Sequence, residues 1–474
     1  MNNKVPLLPA LLQMLLAACL LGACATQTYE AKPIAPEQAA QQWRERSLQS
    51  PLLQAYVAGQ DHAENRLPIT QWGLPELTLA AFFFHPNLEL ARAQWRATQA
   101  MQATAAQKLN PFLNASAEHH SKATDVSPWT LAVALGFTLE ASGKREARME
   151  HAAGLSEAAR LDSGQTAWQV RSHLRQRMLD YYAALRQVEQ LQKEIAARAE
   201  IVGLLETRSN AGLISDVDVS NARLQLQKTQ AIGDAASSRI PELQATLAAA
   251  VGLPALALAT ATLQLLPLER IVAADQLPAA EIQRAALLNR LDVRAALARY
   301  GAAEAKLKLE ITKQRPDITL GPGYSYDQGD NRWSLGLSLA LAWLNKNEGP
   351  IAEALAQRQI EARRFEVLQA RVIGEQEQGL ARYLASLDEL AKAEGLRNAV
   401  AARAARIEKQ FNAGYSDRIE LAGTRLEDIS AEQAVSDARI RTQRALGALE
   451  DAVQRPLDGS APLPDLFAAR DSEP

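Results

Sequence analysis

Three stretches of the chain alternate between bulky apolar side chains and small or hydroxylated ones. In Trp129–Leu139 the odd-numbered positions are apolar throughout, while the even-numbered positions hold threonine, alanine or glycine. Trp333–Leu341 repeats the pattern, with leucines opposed to serine, glycine and alanine, and Ile318–Tyr326 alternates in the same way. A period of two predicts β-strands that have one apolar face and one face of small residues.

Elsewhere, apolar residues recur at steps of three and four, which is typical of helices that pack along a seam. The longest such stretches run over about Gly143–Ser209 and Pro350–Asn412. Each is followed by Asn-Ala-Gly and by a second helical stretch that returns to about residue 250 or 452. A helix of about 65 residues is roughly 100 Å long. Helices of that length must pack laterally against one another, because packing supplies most of their stability.

The chain contains two copies of one unit, offset by about 205 residues. Trp129-Thr-Leu-Ala corresponds to Trp333-Ser-Leu-Gly, and the Asn-Ala-Gly sequence at 210–212 corresponds to that at 412–414. The offset drifts only slightly over most of the chain, so an internal duplication is predicted.

Each copy opens with a predicted helix, over Pro75–Leu109 or Ala279–Gln314. Pro111 and Pro316 end these helices and precede the first strand of each copy. A β-hairpin and a long helical hairpin follow in both copies. The predicted divisions are a leader at 1–23, an N-terminal segment at 24–74, a first repeat at 75–254 with its β-hairpin at 112–139, a linker at 255–278, a second repeat at 279–457 with its β-hairpin at 317–342, and a tail at 458–474.

The first residues have the pattern of a targeting signal. Lys4 precedes an apolar stretch that ends in Leu21-Gly22-Ala23-Cys24, and this stretch is too short and interrupted to predict a membrane-spanning helix. Its end resembles a bacterial lipobox, so Cys24 is predicted to become the acylated first residue of the mature chain. Cys19 is a competing acylation site, and a plain secretory signal with an incidental cysteine is the alternative.

Composition argues against several classes of function. The chain has two cysteines, both near its start, and six histidines, so neither a disulfide framework nor a bound metal is expected. Its 51 Lys and Arg nearly balance its 54 Asp and Glu, so no basic field predicts binding to nucleic acid. No catalytic or nucleotide-binding arrangement is evident. A scaffold, binder or conduit without a cofactor is therefore predicted.

The two-faced strands have two interpretations. A soluble protein could bury one face of such a sheet on helices, whereas a membrane barrel directs apolar side chains toward lipid and small or polar ones inward. The targeting signal and the long helices favour the barrel, with Tyr324 and Tyr326 at the level of an aromatic girdle. Four strands cannot close a barrel, and open sheet edges are not viable in lipid. Two chains would give eight strands, and three would give twelve with a lumen.

Taken in order, these features resemble those of the TolC-like outer-membrane efflux protein family, particularly its lipid-anchored branch. The resemblance rests on the lipobox and the two helical turns, together with paired openings and strand exits at His85-Pro86-Asn87-Leu88, Arg290-Leu291-Asp292-Val293, Gly143-Lys144-Arg145 and Asn347-Glu348-Gly349-Pro350. It implies a mainly α fold with a small β part, in which long coiled-coil-like helices and four transmembrane strands per chain form a homotrimer. The trimer would be a 12-stranded barrel continuous with a periplasmic helical tunnel.

The same resemblance implies a location and a function. The chain would be lipid-anchored in the outer membrane, in contact with outer-membrane lipid, and would extend into the periplasm. It would serve as a passive trimeric export duct gated at its periplasmic end, docked to a periplasmic adaptor (membrane fusion) protein and an inner-membrane pump. A periplasmic lipoprotein scaffold without pore activity is the alternative. The sequence does not indicate the cargo.

The two helical turns hold the residues that the resemblance implies for the gate. Asp218 occupies the position of the family's gating acid in the first repeat. The second turn departs from the family pattern, with Ser416 in place of an arginine and Gly423 in place of an acidic residue. A pair between Asp218 and Arg418 is the candidate latch. The candidate gate and selectivity residues are Asp216, Asp218, Asp417, Arg418 and Glu420.

A structural role is the alternative for the same turns. Ser and Asp commonly cap the first amide groups of a helix, so Ser215-Asp216 and Ser416-Asp417 could be N-caps. Gly212 and Gly414 would then end the preceding helices as C-caps. One residue can serve in both roles, so both interpretations stay open at this point.

Overall fold

The computed structural model describes residues 28–61, 68–121, 127–141, 143–277, 288–341 and 343–457. The predicted leader, Cys19, Cys24 and the tail at 458–474 lie outside these residues. The chain divides into a first unit, Met1–Glu45, and a second unit, Arg46–Pro474. In the first unit, helix α1 (Pro36–Arg44) begins at a proline and has an acidic residue in its first turn and a basic one in its last, which suits the helix dipole.

The second unit contains the remaining helices and two sheets. Its helices are α2 (Pro51–Asp61), α3 (Leu74–Phe84), α4 (Pro86–Ala106), α5 (Lys144–Asn210), α6 (Asp216–Ser238), α7 (Ile240–Val251), α8 (Ala255–Ala259), α9 (Leu291–Thr312), α10 (Glu348–Asn412) and α11 (Arg418–Val453), with short 3₁₀ turns at Leu266–Glu269 and Ala274–Gln276. Its strands are β1 (Gln71–Trp72), β2 (Phe112–His119), β3 (Trp129–Leu139), β4 (Thr262–Leu263), β5 (Ile318–Asp327) and β6 (Asp330–Leu339). The fold is mainly helical with a small β part, as predicted.

The opening helix of the first repeat is two helices rather than the single one predicted over Pro75–Leu109. α3 ends at Phe84 and α4 begins at Pro86, while His85 between them is extended, with ψ of 123°. Proline lacks the amide that a continuous helix needs, and it disfavours helical geometry at the residue before it. The Nδ1 atom of His85 accepts a hydrogen bond from the backbone amide of Asn87 at 3.3 Å and so caps α4.

The return path of the first repeat is also divided, whereas that of the second is not. α6 and α7 meet at Arg239, and Pro241 occupies the first turn of α7. The position offset by 202 residues in the second repeat is Gln443, which lies within the continuous helix α11. The missing amide of Pro241 explains why the predicted single return is broken in the first copy only.

Four strands form one antiparallel sheet in the order β2-β3-β5-β6. The central pair, β3 and β5, comes from different repeats, and its register places Leu131 opposite Tyr326 and Leu139 opposite Ile318. The two hairpins are therefore joined side by side. β2 and β6 form the edges of this sheet, each paired on one side.

Register gives this sheet one apolar face and one face of small or polar residues. The apolar face includes Leu113, Leu131, Val133, Leu135, Phe137, Leu139, Ile318, Leu320, Tyr324, Tyr326, Trp333, Leu335, Leu337 and Leu339. Several of these side chains are well exposed: Trp333 retains 83% and Leu335 74% of its accessible surface. The opposite face carries Asn114, Ser116, Thr130, Thr138, Thr319, Ser325, Ser334 and Ser338.

Phe112 is an exception on the small-residue face. It lies opposite Gly136, and a Cβ at that glycine would overlap the Phe112 ring. Glycine therefore makes room for an aromatic ring at the start of β2.

The largest apolar core surrounds the middle of α5. Leu77 and Phe82 of α3, Leu174 and Met178 of α5, and Leu247 of α7 are all fully buried in it. Burying each of these side chains stabilises the fold by about 1.5–3 kcal/mol. The core fixes the divided opening helix and the divided return helix of the first repeat against the long helix between them.

A buried polar cluster joins the two repeats. Arg171 and Arg175 of α5 lie 3.4 and 3.6 Å from the carboxylate of Glu450 on α11. Arg175 also donates to the backbone carbonyl and the side-chain oxygen of Gln443, at 3.0 and 2.9 Å. A Cβ at Gly447 would overlap the Arg175 guanidinium. The arginines can remain buried because Glu450 and Gln443 are their partners, since an unpaired buried charge is costly.

We expect Gly252→Ala to destabilise the second unit by about 1–3 kcal/mol. Gly252 ends α7 with φ of +86°, and a Cβ there would lie 2.8 Å from the carbonyl oxygen of Phe84. That backbone cannot move freely, because Arg46 donates to the carbonyls of both Phe84 and Gly252. Thermal unfolding followed by circular dichroism measures the loss.

Gly203→Ala is the matched control. Gly203 lies on an exposed position of α5, and a Cβ there would meet nothing within 4 Å. Alanine is the better helix former by up to about 1 kcal/mol, so this variant should be unchanged or more stable. Equal unfolding temperatures for Gly252→Ala and wild type would contradict the requirement for glycine at position 252.

Candidate functional site

The two long helices end in the same turn. Gly212 and Gly414 have φ of +70° and +79°. After α5, the amides of Gly212 and Leu213 donate to the carbonyls of Ser209 and Arg208 at 2.8 and 2.9 Å. The turn after α10 repeats both bonds with the corresponding residues. This pattern is a Schellman C-cap, which needs a left-handed residue that glycine adopts without strain.

The returning helices begin with side-chain caps. Ser215 Oγ accepts from the amide of Val217 at 3.1 Å, and Asp417 Oδ1 accepts from the amide of Glu420 at 2.8 Å. The capping interpretation of the turns is thus confirmed for Ser215, Asp417 and the two glycines. These bonds satisfy amides that a helix start leaves without partners.

Ion pairs near the turns join the first repeat to the second. Arg208, in the last turn of α5, donates to Asp417 at 3.1 Å. Glu200, two turns earlier, lies 3.5 Å from Arg418 and 3.3 Å from Arg425 of α11. We call Glu200, Arg208, Asp417, Arg418 and Arg425 the tip links. Each pair is partly exposed, so each alone contributes little to stability, but together they hold the end of α5 beside the start of α11.

The predicted gate residues are thus brought to one end of the helices, but not in the predicted pairing. Within one chain Arg418 pairs with Glu200, and the exposed side chain of Asp218 makes no hydrogen bond or ion pair with any other described residue. Asp216 bonds to Ser209 in the preceding turn. Glu420 accepts from Ser416 at 2.6 Å.

Sequence reasoning missed Glu200 and Arg208. These residues lie on α5, before the turn, and meet partners on the second repeat more than 200 residues away. Their charges are also ordinary for the surface of a long helix. The basic residue in the last turn of α5 was the one available signal, because cations favour helix C-termini.

The charge state of the links follows from their geometry. The backbone amide of Glu420 lowers the pKa of Asp417, slight burial opposes this, and Arg208 adds to the lowering. Asp417 is consequently ionised at neutral pH and can pair with Arg208. No described group of three or more His, Cys, Asp or Glu residues could hold a metal ion, here or elsewhere.

Pro111 and Pro316 lie where the helices give way to the sheet. β2 begins directly after Pro111, and β5 begins two residues after Pro316. At the far end of the sheet, aromatic rings meet in pairs: Tyr324 lies 5.1 Å from Trp333 and His119 4.7 Å from Trp129, between ring centroids. The structure thus presents helical turns at one end and an aromatic-lined sheet at the other end of the long helices.

Residues 84–253 match the profile of the family described as outer membrane efflux protein. The likeness to this family is therefore established for this part of the chain. The matched residues cover α4 to α7 with the first hairpin and the first helical turn, so they correspond closely to the first repeat. The matched segment, residues 84–253, therefore includes Asp216 and Asp218 but not the second turn.

A characterised relative extends the likeness. The cobalt-zinc-cadmium resistance protein CzcC of Cupriavidus metallidurans is 26% identical over 256 residues, which are 52% of this chain and 57% of CzcC. The alignment therefore spans little more than half the length of that relative.

Two solved structures share the fold over most of the chain. The outer-membrane channel OprN has a TM-score of 0.66 at 18% identity, covering 91% of this chain and 99% of OprN. The outer membrane protein VceC of Vibrio cholerae has a TM-score of 0.63 at 19% identity, covering 80% of this chain and 95% of VceC. The matched segment and the second repeat together thus have the fold of these proteins.

None of the helices in the described parts of the chain combines the length and the apolar character required to cross a bilayer.

We expect Asp417→Ala to loosen the start of α11 by about 1 kcal/mol, because it removes an N-cap, whereas Asp417→Asn keeps a capping oxygen and loses only the charge. Amide hydrogen exchange of the segment around residue 420 at neutral pH measures this difference. The lowered pKa of Asp417 means that its charge stabilises the fold above about pH 4 and that this contribution is lost as the pH falls further. Wild-type protection in the Ala variant would contradict the capping role.

Proposed function

We propose that three copies of this chain form an outer-membrane channel of a tripartite export system. The observation that carries the proposal is the two-faced sheet with two free edges, β2 and β6. Its apolar face has the exposed bulky side chains that lipid requires, and its other face has the small and hydroxylated residues of an aqueous interior. The family match over residues 84–253 and the likeness to OprN support this interpretation.

The number of copies follows from strand closure. In hydrocarbon every backbone amide and carbonyl needs a partner, so β2 of one chain would pair with β6 of a neighbour. Two chains give a barrel filled by its own side chains, whereas three give twelve strands around a lumen. A conduit requires the lumen, which favours the homotrimer.

The helices would form a tunnel that continues the barrel into the periplasm. The tip links would then act at its periplasmic end, where they hold α11 against α5. Breaking them would free the second repeat to move outward, which is the change that a gate needs. Asp216 and Asp218 are exposed at this end and would attract cations to the opening. An Asp218–Arg418 latch would have to form between neighbouring chains.

The remaining parts of the proposal concern partners and location. Cys24 would carry the lipid anchor, and the tip would meet a periplasmic adaptor protein and an inner-membrane pump. The name of CzcC suggests divalent metal cations as one class of cargo. A passive duct does not choose what passes through it, so the pump would select the cargo.

The two faces of β6 give a direct test of membrane insertion. Leu337→Lys places a charge on the apolar face and should cost about 2–4 kcal/mol at mid-membrane, whereas Ser338→Lys places the same charge on the opposite face. We expect the first to reduce strongly the heat-modifiable oligomer recovered from outer membranes and the second to leave it near wild type. Equal recovery of the two variants would contradict a barrel.

Planar-bilayer conductance tests the gate. Arg208→Ala combined with Arg418→Ala removes two arginines of the tip links and should increase the conductance of the purified protein several-fold. Lys392→Ala is the control, since Lys392 pairs with Asp388 on its own helix, at 2.6 Å, and joins no second element. Asp218→Ala with Arg418→Ala tests the latch between chains. Absence of conductance in every variant would overturn the channel and favour the periplasmic scaffold.

A further inference from the structure

Three large apolar side chains beyond the end of β6 remain exposed to solvent. Leu341, Trp343 and Leu344 retain 71%, 78% and 90% of their accessible surface. They lie between the sheet and α10, which begins at Glu348. Tryptophan and leucine side chains that are exposed this close together mark a surface that meets another apolar phase.

β6 ends at Leu339, and in the sequence Trp343 follows in step with the apolar positions of that strand. Counting by twos from Trp333 passes through Leu335, Leu337, Leu339 and Leu341 and reaches Trp343. The stretch from Trp333 to Leu339 lies in strand and spans about 20 Å, which a strand tilt of about 40° reduces to a height of roughly 15 Å. The apolar band of a membrane barrel is about 25 Å tall, so with Trp333 at one boundary the band would extend past the end of β6 to the level of the apolar residues that follow it.

Two cations lie beside this apolar segment. Gln314 donates to the backbone carbonyl of Lys346 at 2.9 Å, which holds Lys346 close to Arg315. Both side chains are exposed, and neither makes an ion pair with any described residue.

The neighbouring acids do not neutralise them. Asp317 is paired with Lys144 at 2.7 Å, and Glu310 lies within 3.0 Å of both Lys306 and Lys313. Glu348, on the first turn of α10, is an acid close in the sequence, and it can offset only one of the two cations. The segment therefore has a net positive charge next to its apolar side chains.

We propose that Leu341, Trp343, Leu344, Arg315 and Lys346 form an interfacial anchor that binds phospholipid in the periplasm-facing leaflet of the membrane. Leucine and tryptophan would enter the boundary between headgroups and acyl chains, where tryptophan is favoured. Arg315 and Lys346 would bind the lipid phosphate and favour anionic headgroups. This inference rests on the proposed function, because it requires the sheet to lie in a bilayer.

The position of the anchor can be measured by fluorescence. The full-length protein is reconstituted into phosphatidylcholine vesicles whose lipids carry bromine close to the headgroup, which quenches nearby tryptophan. We expect Trp343→Phe to remove a quenchable fraction of the emission. Trp95→Phe, on helix α4, is the control and should leave the intensity of the quenchable emission unchanged.

The charge preference needs a second measurement. Native mass spectrometry of the detergent-solubilised protein, mixed with equal amounts of phosphatidylglycerol and phosphatidylcholine, counts the lipids retained. Arg315→Gln with Lys346→Gln should lower retained phosphatidylglycerol at least two-fold and leave phosphatidylcholine unchanged. Lys228→Gln with Arg239→Gln, which removes two exposed charges from the return path of the first repeat, should retain lipid as the wild type does.

The outcomes separate this inference from the channel itself. A protein that inserts, and whose Trp333→Phe variant loses quenching while Trp343→Phe does not, overturns the anchor alone. Equal phosphatidylglycerol retention by both double variants also overturns it. If no tryptophan is quenched in any vesicle, the sheet does not enter lipid, and the proposed function fails with the anchor.

Discussion

Backbone hydrogen bonding at the two edges of one sheet constrains everything else in this chain. β3 and β5 pair across the duplication and satisfy each other, but the outer sides of β2 and β6 have no strand partner among the described residues of the chain. The apolar face beside those edges is exposed, so water is not its natural environment. If neighbouring chains pair edge to edge in lipid, the strand edges gain hydrogen-bond partners and the apolar face leaves water at the same time. The duplication supplies four strands in place of two and thereby halves the number of chains needed to close a ring.

Much of this fold could be predicted from the sequence, because its patterns are strictly periodic. Alternation in Trp129–Leu139 determined both the strand and its two faces. The breaks within the predicted helices were harder to predict. Pro86 and Pro241 lie inside helical patterns, and only the missing amide at each shows that the helix must divide. β6 begins at Asp330 rather than Trp333, since its first residues are polar and follow a two-residue turn at 328–329 in which both residues have positive φ.

The tip shows a different limit of sequence reasoning. Local geometry there was predictable, since Asn-Ala-Gly followed by a capping residue specifies a turn by its own hydrogen bonds. The partners across the repeats were not, because Arg208 and Asp417 are brought together by the packing of α5 against α11 and by nothing in their immediate sequence. The division into repeats, the lipid anchor and the gate remain predictions. The helix caps and the tip links give a physical basis to the gate alone.

Phe112 changes what the interior wall would present to a moving solute. Its ring covers Gly136 on the face that otherwise carries hydroxyls and small residues, at the end of the sheet where α4 gives way to β2. In a closed ring of three chains, three such rings stand at one height. The wall is then not uniformly wettable: a hydrated ion would meet a narrow aromatic collar there, whereas a flat organic molecule would find three surfaces on which to stack.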